Sequence, residues 1–135
     1  IRKRSLAYEA SNLSSAILWN DGGKFSFESL PVEAQVSPVF GILADDFNGD
    51  GKMDIWLGGN FYALKPQVGR HDASRGVLLA GDGKRSFTYV MHCGIFVRGE
   101  VRDAVIIPFK GTKRIFIARN NAGVKAYEYR VNSEK

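Results

Sequence analysis

The segment FGILADDFNGDGKMDIWLGGN (residues 40–60) decides the fold, because it places a loop rich in aspartate and glycine between two short apolar runs. The runs at residues 39–44 and 53–57 have the length and composition of buried strands. Gly51 permits a sharp bend between them, since glycine readily adopts a positive φ. The segment therefore predicts two strands joined by a tight loop.

This loop carries side-chain oxygens at alternate positions. Asp46, Asn48 and Asp50 come first, the backbone carbonyl of Lys52 follows, and Asp54 closes the series. Calcium takes roughly six to eight oxygen ligands, whereas magnesium keeps more water and zinc or copper would favour imidazole or thiolate ligands. We therefore predict that these five residues bind one Ca²⁺ ion. The alternative is an aspartate-rich hairpin without an ion.

The loop begins like an EF-hand but does not continue like one. An EF-hand needs a bidentate glutamate at its twelfth position, and that position here is Leu57. No helical pattern flanks the loop on either side. Asp45 is out of phase with the predicted ligands, so we expect it to face away or to contact the ligands rather than the ion.

Short apolar runs bounded by Gly, Asp and Asn recur along the whole chain and predict an all-β fold. Nine strands are predicted, at residues 15–19, 24–29, 39–44, 53–57, 76–80, 86–90, 101–109, 114–118 and 124–130. Asp21-Gly22 and Asp82-Gly83 stand between such runs and predict hairpins. They lie 61 positions apart. A period of this size, with about four strands, is typical of one β-propeller blade.

The same offset of 61 relates residues 55–57 to residues 116–118, and Asn60 to Asn121. At this offset the four side-chain ligands of the loop have no oxygen-bearing counterpart. The residues that correspond to Asp46, Asn48, Asp50 and Asp54 are Ile107, Phe109, Gly111 and Ile115. We therefore predict one ion per chain.

The period predicts β-propeller-type blades of antiparallel strands, with one full four-stranded blade between two partial blades. Residues 1–34 would form the outer part of a preceding blade and residues 35–92 the full blade with the calcium loop. Residues 93–131 would form a degenerate terminal blade, and residues 132–135 a tail. Because a propeller needs about four to eight blades to close, we expect further chain, other copies or open sheet edges.

Composition excludes several classes of function. The 135 residues are 44% hydrophobic and 24% charged, which is typical of a soluble domain with a core. No apolar stretch approaches the roughly 18 residues of a membrane span. The net charge of +5 is modest and spread along the predicted strands, although Arg2-Lys3-Arg4 form a short basic cluster. Nucleic-acid binding and membrane insertion are therefore not expected. The chain starts at Ile1 without a signal-peptide pattern, which suggests a mature or excised segment.

Other polar residues leave alternatives open. Arg70, His71 and Asp72 lie in a long connection and could hold a polar ligand or form ion pairs with a neighbouring blade. Cys93 follows His92, but neighbours in a strand face opposite sides, which argues against a catalytic pair. The same reasoning separates Glu100 from Asp103. No catalytic residue is predicted.

Residues 40–60 resemble an FG-GAP/VCBS-type repeat, and LWNDGGKF (residues 18–25) resembles the hairpin that precedes such a loop. GVLLAGDG (residues 76–83) is similar to that hairpin as well. Residues 69–73 and 99–103 resemble the last repeats of bacterial surface proteins related to the cartilage-acidic-protein-like group. The resemblance implies a β-propeller, as in the integrin α-subunit head, with calcium in loops between blade strands. It also implies an extracellular, cell-surface or periplasmic location.

The expected function is therefore that of a calcium-binding, non-catalytic module for ligand binding or adhesion, with an unidentified protein or glycan as ligand. Self-association through open blade edges is also expected. The alternative is a carbohydrate- or polymer-binding accessory domain of a larger extracellular enzyme. Four aromatic residues could stack on sugar rings or could pack between blades: Trp19, Trp56, Tyr62 and Tyr89.

Overall fold

The computed structural model describes residues 6–129, which form nine β-strands and one short 3-10 helix, Val32–Gln35. The strands are β1 (Ala16–Asp21), β2 (Lys24–Ser29), β3 (Val39–Asp45), β4 (Asp54–Gly59), β5 (Val77–Gly81), β6 (Phe87–Val90), β7 (Val101–Phe109), β8 (Thr112–Arg119) and β9 (Ala122–Tyr129). All nine predicted strands are present, with shifted ends. The basic cluster at residues 2–4, the end of the last predicted strand and the predicted tail lie outside the described residues.

The strands form three antiparallel sheets that are not closed into a barrel. β1 and β2 form the first sheet, β3 to β6 form a four-stranded second sheet in sequence order, and β7 to β9 form the third. The predicted all-β class, with one four-stranded sheet between two smaller sheets, is confirmed. No helix among residues 6–129 is long and apolar enough to cross a membrane.

The second sheet is covered on both faces, so its central strand β4 is buried almost throughout. On one face Leu43, Trp56 and Leu78 pack against side chains of the third sheet, including Ile115 and Ile117. On the other face Leu57, Val77 and Leu79 surround Ala34 of the 3-10 helix. Burial on both faces explains why β4 is a continuous apolar run rather than an alternating one.

The first sheet is the most exposed part of the fold, and it contacts the second sheet through their hairpins. Every residue of β2 is exposed. The Trp19 ring stacks on Phe87 of β6 with 6.3 Å between ring centroids. Arg85 forms an ion pair with Asp21 and also lies over the Trp19 ring, 5.3 Å from its centroid. The two hairpins that the Asp-Gly pairs predict therefore contact each other directly.

The first two strands of the second sheet, β3 and β4, pair in the same register as the first two strands of the third sheet, β7 and β8. Val39 pairs with Gly59 before a bulge in β3, and Val101 pairs with Arg119 before a bulge in β7. Because of the bulges, the offset in residue number is 62 between β3 and β7 and 60 between β4 and β8. This finding corrects the single offset of 61.

The turn after the second strand agrees with these two offsets. The N–H of Asn60 donates to the carbonyl of Pro38, and the N–H of Asn120 donates to the carbonyl of Glu100. Asn60 therefore corresponds to Asn120 rather than to Asn121, as the single offset had predicted.

Corresponding residues show how the sheets stack. The pair Leu43–Trp56, which is buried against the third sheet, corresponds to Val105–Phe116 of that sheet. Val105 remains 49% exposed, because the face of the third sheet that carries it is not covered by any described residue. The third sheet therefore repeats the packing face of the second sheet but leaves it open.

Candidate metal centre

The loop at residues 46–53 joins β3 to β4 and is ordered by the side chain of Asp46. One carboxylate oxygen of Asp46 accepts hydrogen bonds from the N–H groups of Gly49, at 2.6 Å, and Asp50, at 3.2 Å. The other accepts one from Gly51 at 2.9 Å. Gly49 and Gly51 have φ values of 84° and 79°, which glycine adopts without the strain of a Cβ. Asp46 thus wraps the chain around its own carboxylate.

The two following polar residues form short local turns of the Asx type. Asn48 Oδ1 accepts from the N–H of Asp50 at 2.8 Å, and Asp50 Oδ1 accepts from the N–H of Lys52 at 2.9 Å. The Lys52 N–H lowers the pKa of the Asp50 carboxyl despite partial desolvation, and the Lys52 ammonium, 3.4 Å from Asp50 Oδ2, adds to this effect. The Lys52 side chain is exposed, and its ammonium group lies beside the Asp50 carboxylate.

Asp54 closes the loop from the interior of the fold. Its side chain is fully buried. Asp54 Oδ2 accepts from the N–H of Phe47 at 3.0 Å, and Oδ1 accepts from the N–H of Gly81 at the end of β5, at 2.9 Å. Gly81 must be glycine here, because a Cβ would overlap the carbonyl of Met53. Asp54 therefore connects the loop to the neighbouring strand.

The donor set fits a hard cation, but the carboxylates are directed at backbone N–H groups. Asp46 and Asn48 both offer an oxygen to the same N–H of Asp50, so their oxygens lie close together. Asp54 reaches the loop from the start of β4 through the N–H of Phe47. Residues 6–129 contain no group of three or more His, Cys, Asp or Glu side chains placed to hold a metal ion. All the predicted side-chain ligands in the loop would bind the ion through oxygen, which suits calcium rather than zinc.

Charge compensation also bears on the fit. Among the described residues, neither Asp46 nor Asp54 forms an ion pair. Backbone N–H groups are the only donors to the buried Asp54 carboxylate within that part of the chain. A buried carboxylate without a cation carries a large desolvation penalty. A cation held by the oxygens of Asp46, Asn48, Asp50, the Lys52 carbonyl and Asp54 would compensate this charge.

Asp45 faces the third sheet instead of the loop oxygens, as its phase predicts. Lys113 Nζ lies 2.6 Å from both carboxylate oxygens of Asp45, and the Tyr129 hydroxyl donates to Oδ2 at 2.6 Å. Burial alone would raise the pKa of Asp45, but the hydrogen bonds from Lys113, Tyr129 and the Asp46 N–H lower it overall. Burial and the Asp45 carboxylate raise the pKa of Tyr129, which therefore remains a donor.

The third sheet has a tight turn where the second sheet has the loop. β7 and β8 continue their pairing to Phe109 and Thr112 and turn through Lys110 and Gly111. Both turn residues have positive φ, 46° and 80°. The predicted oxygen ligands have no counterpart in this turn, so the third sheet does not repeat the loop.

Arg70, His71 and Asp72 are all exposed. The guanidinium of Arg70 lies over the ring of Tyr62, 5.1 Å from its centroid. His71 pairs with Phe61 through two backbone hydrogen bonds, at 2.8 and 2.9 Å. None of the three forms an ion pair within residues 6–129, so the expected salt bridges to a neighbouring blade are not found there.

The other candidate side chains are separated, but not by alternation along a strand, because His92, Cys93 and Glu100 lie between β6 and β7. Glu100 is buried, whereas Asp103 is exposed. His92 is exposed, while half-buried Cys93 places its sulfur 3.6 Å from the carbonyl of Ile95.

Sequence reasoning missed the polar cluster that Glu100 organises. Its carboxylate accepts from the N–H of Tyr62 at 2.8 Å, from Arg102 at 2.6 Å and from Asn120 at 3.0 Å. The Tyr62 N–H is the main reason that the pKa of Glu100 is lowered. The only signal for this cluster in the sequence was an acidic residue directly before an apolar strand.

Comparison with known proteins gave no match to a protein family, a curated protein or a solved structure.

Proposed function

We propose that the chain is a calcium-binding, non-catalytic β-propeller module of a secreted or cell-surface protein, with a role in ligand binding or adhesion. The observation that carries the proposal is the buried Asp54 carboxylate at the base of an oxygen-lined loop. It has no cationic partner among the described residues. The function of the ion would be to compensate this charge and fix the connection between β3 and β4.

Calcium binding at this loop would stabilise the second sheet as a unit. Asp46 sets the turn, and Asp54 joins the loop to Gly81 of β5. An ion that binds the folded loop and not the unfolded chain stabilises the fold by mass action. With an extracellular-type dissociation constant, on the order of 10⁻⁴ to 10⁻³ M, the loop would be filled outside cells.

The stacking of the sheets supports the propeller part of the proposal. The exposed Val105–Phe116 face of the third sheet corresponds to the Leu43–Trp56 face by which the second sheet packs onto the third. A further sheet of the same kind would cover it in the same way. Such sheets, added side by side, are the blades of a propeller.

The burial of Trp56 argues against the carbohydrate-binding alternative. Trp56 is fully buried and cannot stack on a sugar ring. Trp19 is half-buried between Phe87 and Arg85, and Tyr62 lies under Arg70. These aromatic side chains have packing partners within the chain, so none of them is assigned to the protein or glycan ligand that we propose.

Thermal unfolding in calcium and in chelator tests the proposal. If Kd is about 10⁻⁴ M, 10 mM calcium should add about 2.7 kcal/mol to the free energy of unfolding, which should raise the Tm by several degrees. Magnesium at the same concentration should have a smaller effect, because it dehydrates reluctantly.

Two matched variants locate the effect. Asp50→Asn should remove most of the calcium-dependent rise in Tm. Asp82→Asn should retain it, because Asp82 makes a similar local turn, with hydrogen bonds from Lys84 and Ser86, in a hairpin without other ligands. A Tm that does not change with calcium, together with no binding heat in calorimetry, would overturn the proposal.

A further inference from the structure

We infer that Asp45 is a positioning residue that couples ion binding in the loop to the docking of the third sheet. The inference rests on the proposed calcium function and adds a regulatory property to it. Asp45 does not need to touch the ion. It would hold the start of the loop against β8 and β9, so that each event strengthens the other.

Asp45 lies at the junction of the two structures. Its Oδ1 accepts from the N–H of Asp46, the first predicted ligand, at 2.9 Å, and also from Lys113 of β8 at 2.6 Å. Its Oδ2 accepts from the hydroxyl of Tyr129 in β9 at 2.6 Å. One carboxylate therefore contacts the loop backbone and two strands of the third sheet.

Phe47 makes a second connection on the other side of Asp46. Its ring lies 5.2 Å from the Tyr129 ring, measured between centroids. Its N–H donates to the carboxylate of Asp54 at 3.0 Å. Asp45 and Phe47, the two chain neighbours of Asp46, therefore both contact Tyr129. Phe47 also donates a hydrogen bond to Asp54, the last predicted ligand.

The corresponding pair in the third sheet supports this role. Asp45 pairs with Asp54 across β3 and β4, and the corresponding pair across β7 and β8 is Ile107–Arg114. In the third sheet, where a two-residue turn replaces the loop, the carboxylate that corresponds to Asp45 is absent as well. Asp45 and the loop therefore occur together in one sheet and are missing together from the other.

Coupling follows from the ordering of the loop. Fixing the loop lowers its conformational entropy, and a contact that already holds part of the loop reduces what the ion must still order. By linkage, the ion must then strengthen the contact by the same factor. Couplings of this kind are typically about 5- to 150-fold in affinity, and we expect the lower end because Lys113 is half exposed.

Calcium titration by calorimetry of the whole chain tests the coupling with a matched pair of variants. Tyr129→Phe removes the hydroxyl bond to Asp45 and changes neither charge nor ring, so calcium affinity should fall about fivefold. Tyr127→Phe is the control, because its hydroxyl donates to the carbonyl of Phe96 at 2.5 Å, away from the loop. That variant should stay within about twofold of the parent chain.

Hydrogen exchange gives the reciprocal readout. Calcium should slow amide exchange in β8 and β9 of the parent chain, and this protection should be reduced in Tyr129→Phe. Asp45→Asn, which keeps the shape of the side chain, should show the same losses and serves if Tyr129→Phe does not fold. Parent-like affinity in both variants, or exchange in β8 and β9 that calcium leaves unchanged, overturns the coupling alone. Absence of calcium binding to the parent chain overturns the proposed function and the coupling with it.

Discussion

The side chain of Asn60 pairs with the backbone of Ser74 on both sides of the amide. Asn60 Nδ2 donates to the Ser74 carbonyl at 2.8 Å, and Asn60 Oδ1 accepts from the Ser74 N–H at 3.0 Å. A third bond runs from Nδ2 to the carbonyl of Gly99 at 3.0 Å, which lies just before β7. Asn60 therefore closes the long connection between β4 and β5 and attaches it to the third sheet.

Replacement of Asn60 by alanine should destabilise the fold strongly. The Asn60 side chain is buried, and its backbone has a positive φ of 87°, which asparagine tolerates better than most residues. Asn60→Ala leaves buried backbone groups of Ser74 and Gly99 without partners, so the free energy of unfolding should fall by about 3 kcal/mol. Urea denaturation gives the value.

The matched control for this change is Asn121→Ala. Asn121 also has a positive φ, 52°, but it is exposed in the turn between β8 and β9. Its replacement should cost only the backbone strain, about 1 kcal/mol. Equal losses in the two variants would show that the hydrogen bonds of Asn60 contribute little.

Trp56 tests whether the buried indole acts by volume alone. Trp56 Nε1 is buried without a hydrogen-bond partner among the described residues. Trp56→Ala should lose about 3–5 kcal/mol through the cavity it creates. Trp56→Phe should lose much less, because it leaves a smaller cavity and, like Trp56→Ala, leaves no hydrogen-bond partner unsatisfied within residues 6–129. If Trp56→Phe were as unstable as Trp56→Ala in urea, the indole N–H would need a partner, such as an ordered water.

Alanine substitutions at Gly59 and Gly51 compare the cost of a steric overlap with the cost of backbone strain. A Cβ on Gly59 would overlap the carbonyl of Pro38, whereas a Cβ on Gly51 would have nothing within 4 Å but would sit at a φ of 79°. Gly59→Ala should lose more than about 3 kcal/mol or fail to fold. Gly51→Ala should lose about 1–2 kcal/mol from strain. Circular dichroism melts of both variants would reveal a reversed order, which would contradict this account of the strand end.

Acid should unfold the protein through Asp45 and Glu100. Their pKa values in the folded chain are below the ordinary values of 3.8 and 4.5. The unfolded state therefore takes up protons first as the pH falls, so stability is complete above these ordinary values and decreases as the pH falls through the lower folded values. The urea midpoint should be flat between about pH 6 and 8 and should fall steadily below about pH 4.5.

Glu100→Gln provides the comparison for this pH dependence. The variant should be less stable at neutral pH, because Arg102 loses its ionised partner and the amide cannot accept as many hydrogen bonds. Its stability should also vary less with pH in the acid range. Asp72→Asn is the control, since Asp72 is exposed and forms no ion pair within the described residues. A slope in Glu100→Gln that matches the parent would exclude Glu100 as a source of acid lability.

Local patterns in the sequence were sufficient to predict the strands and the loop. Alternation and apolar runs located all nine strands, because side-chain periodicity reflects burial directly. Gly51 and the Asx residues predicted the tight connection at residues 46–53, and its hydrogen bonds have that form. The bulges in β3 and β7 were not predictable, because a bulge is an extra residue whose only effect is on pairing with another strand. For this reason the sequence predicted a single repeat offset of 61 residues, where the structure has offsets of 62 and 60.

The sequence alone determined the all-β class, the order of the strands and the alternating oxygen groups from Asp46 to Asp54. These depend on near neighbours in the chain, for which spacing fixes which face each residue occupies. Only the tertiary structure decided that Asp45 would contact Lys113 and Tyr129, and that Glu100 would bind Tyr62. These contacts join residues far apart in sequence, and their positions depend on how whole sheets pack. The loop that opened the sequence is therefore local in its chemistry, whereas its attachment to the third sheet is a property of the packed fold.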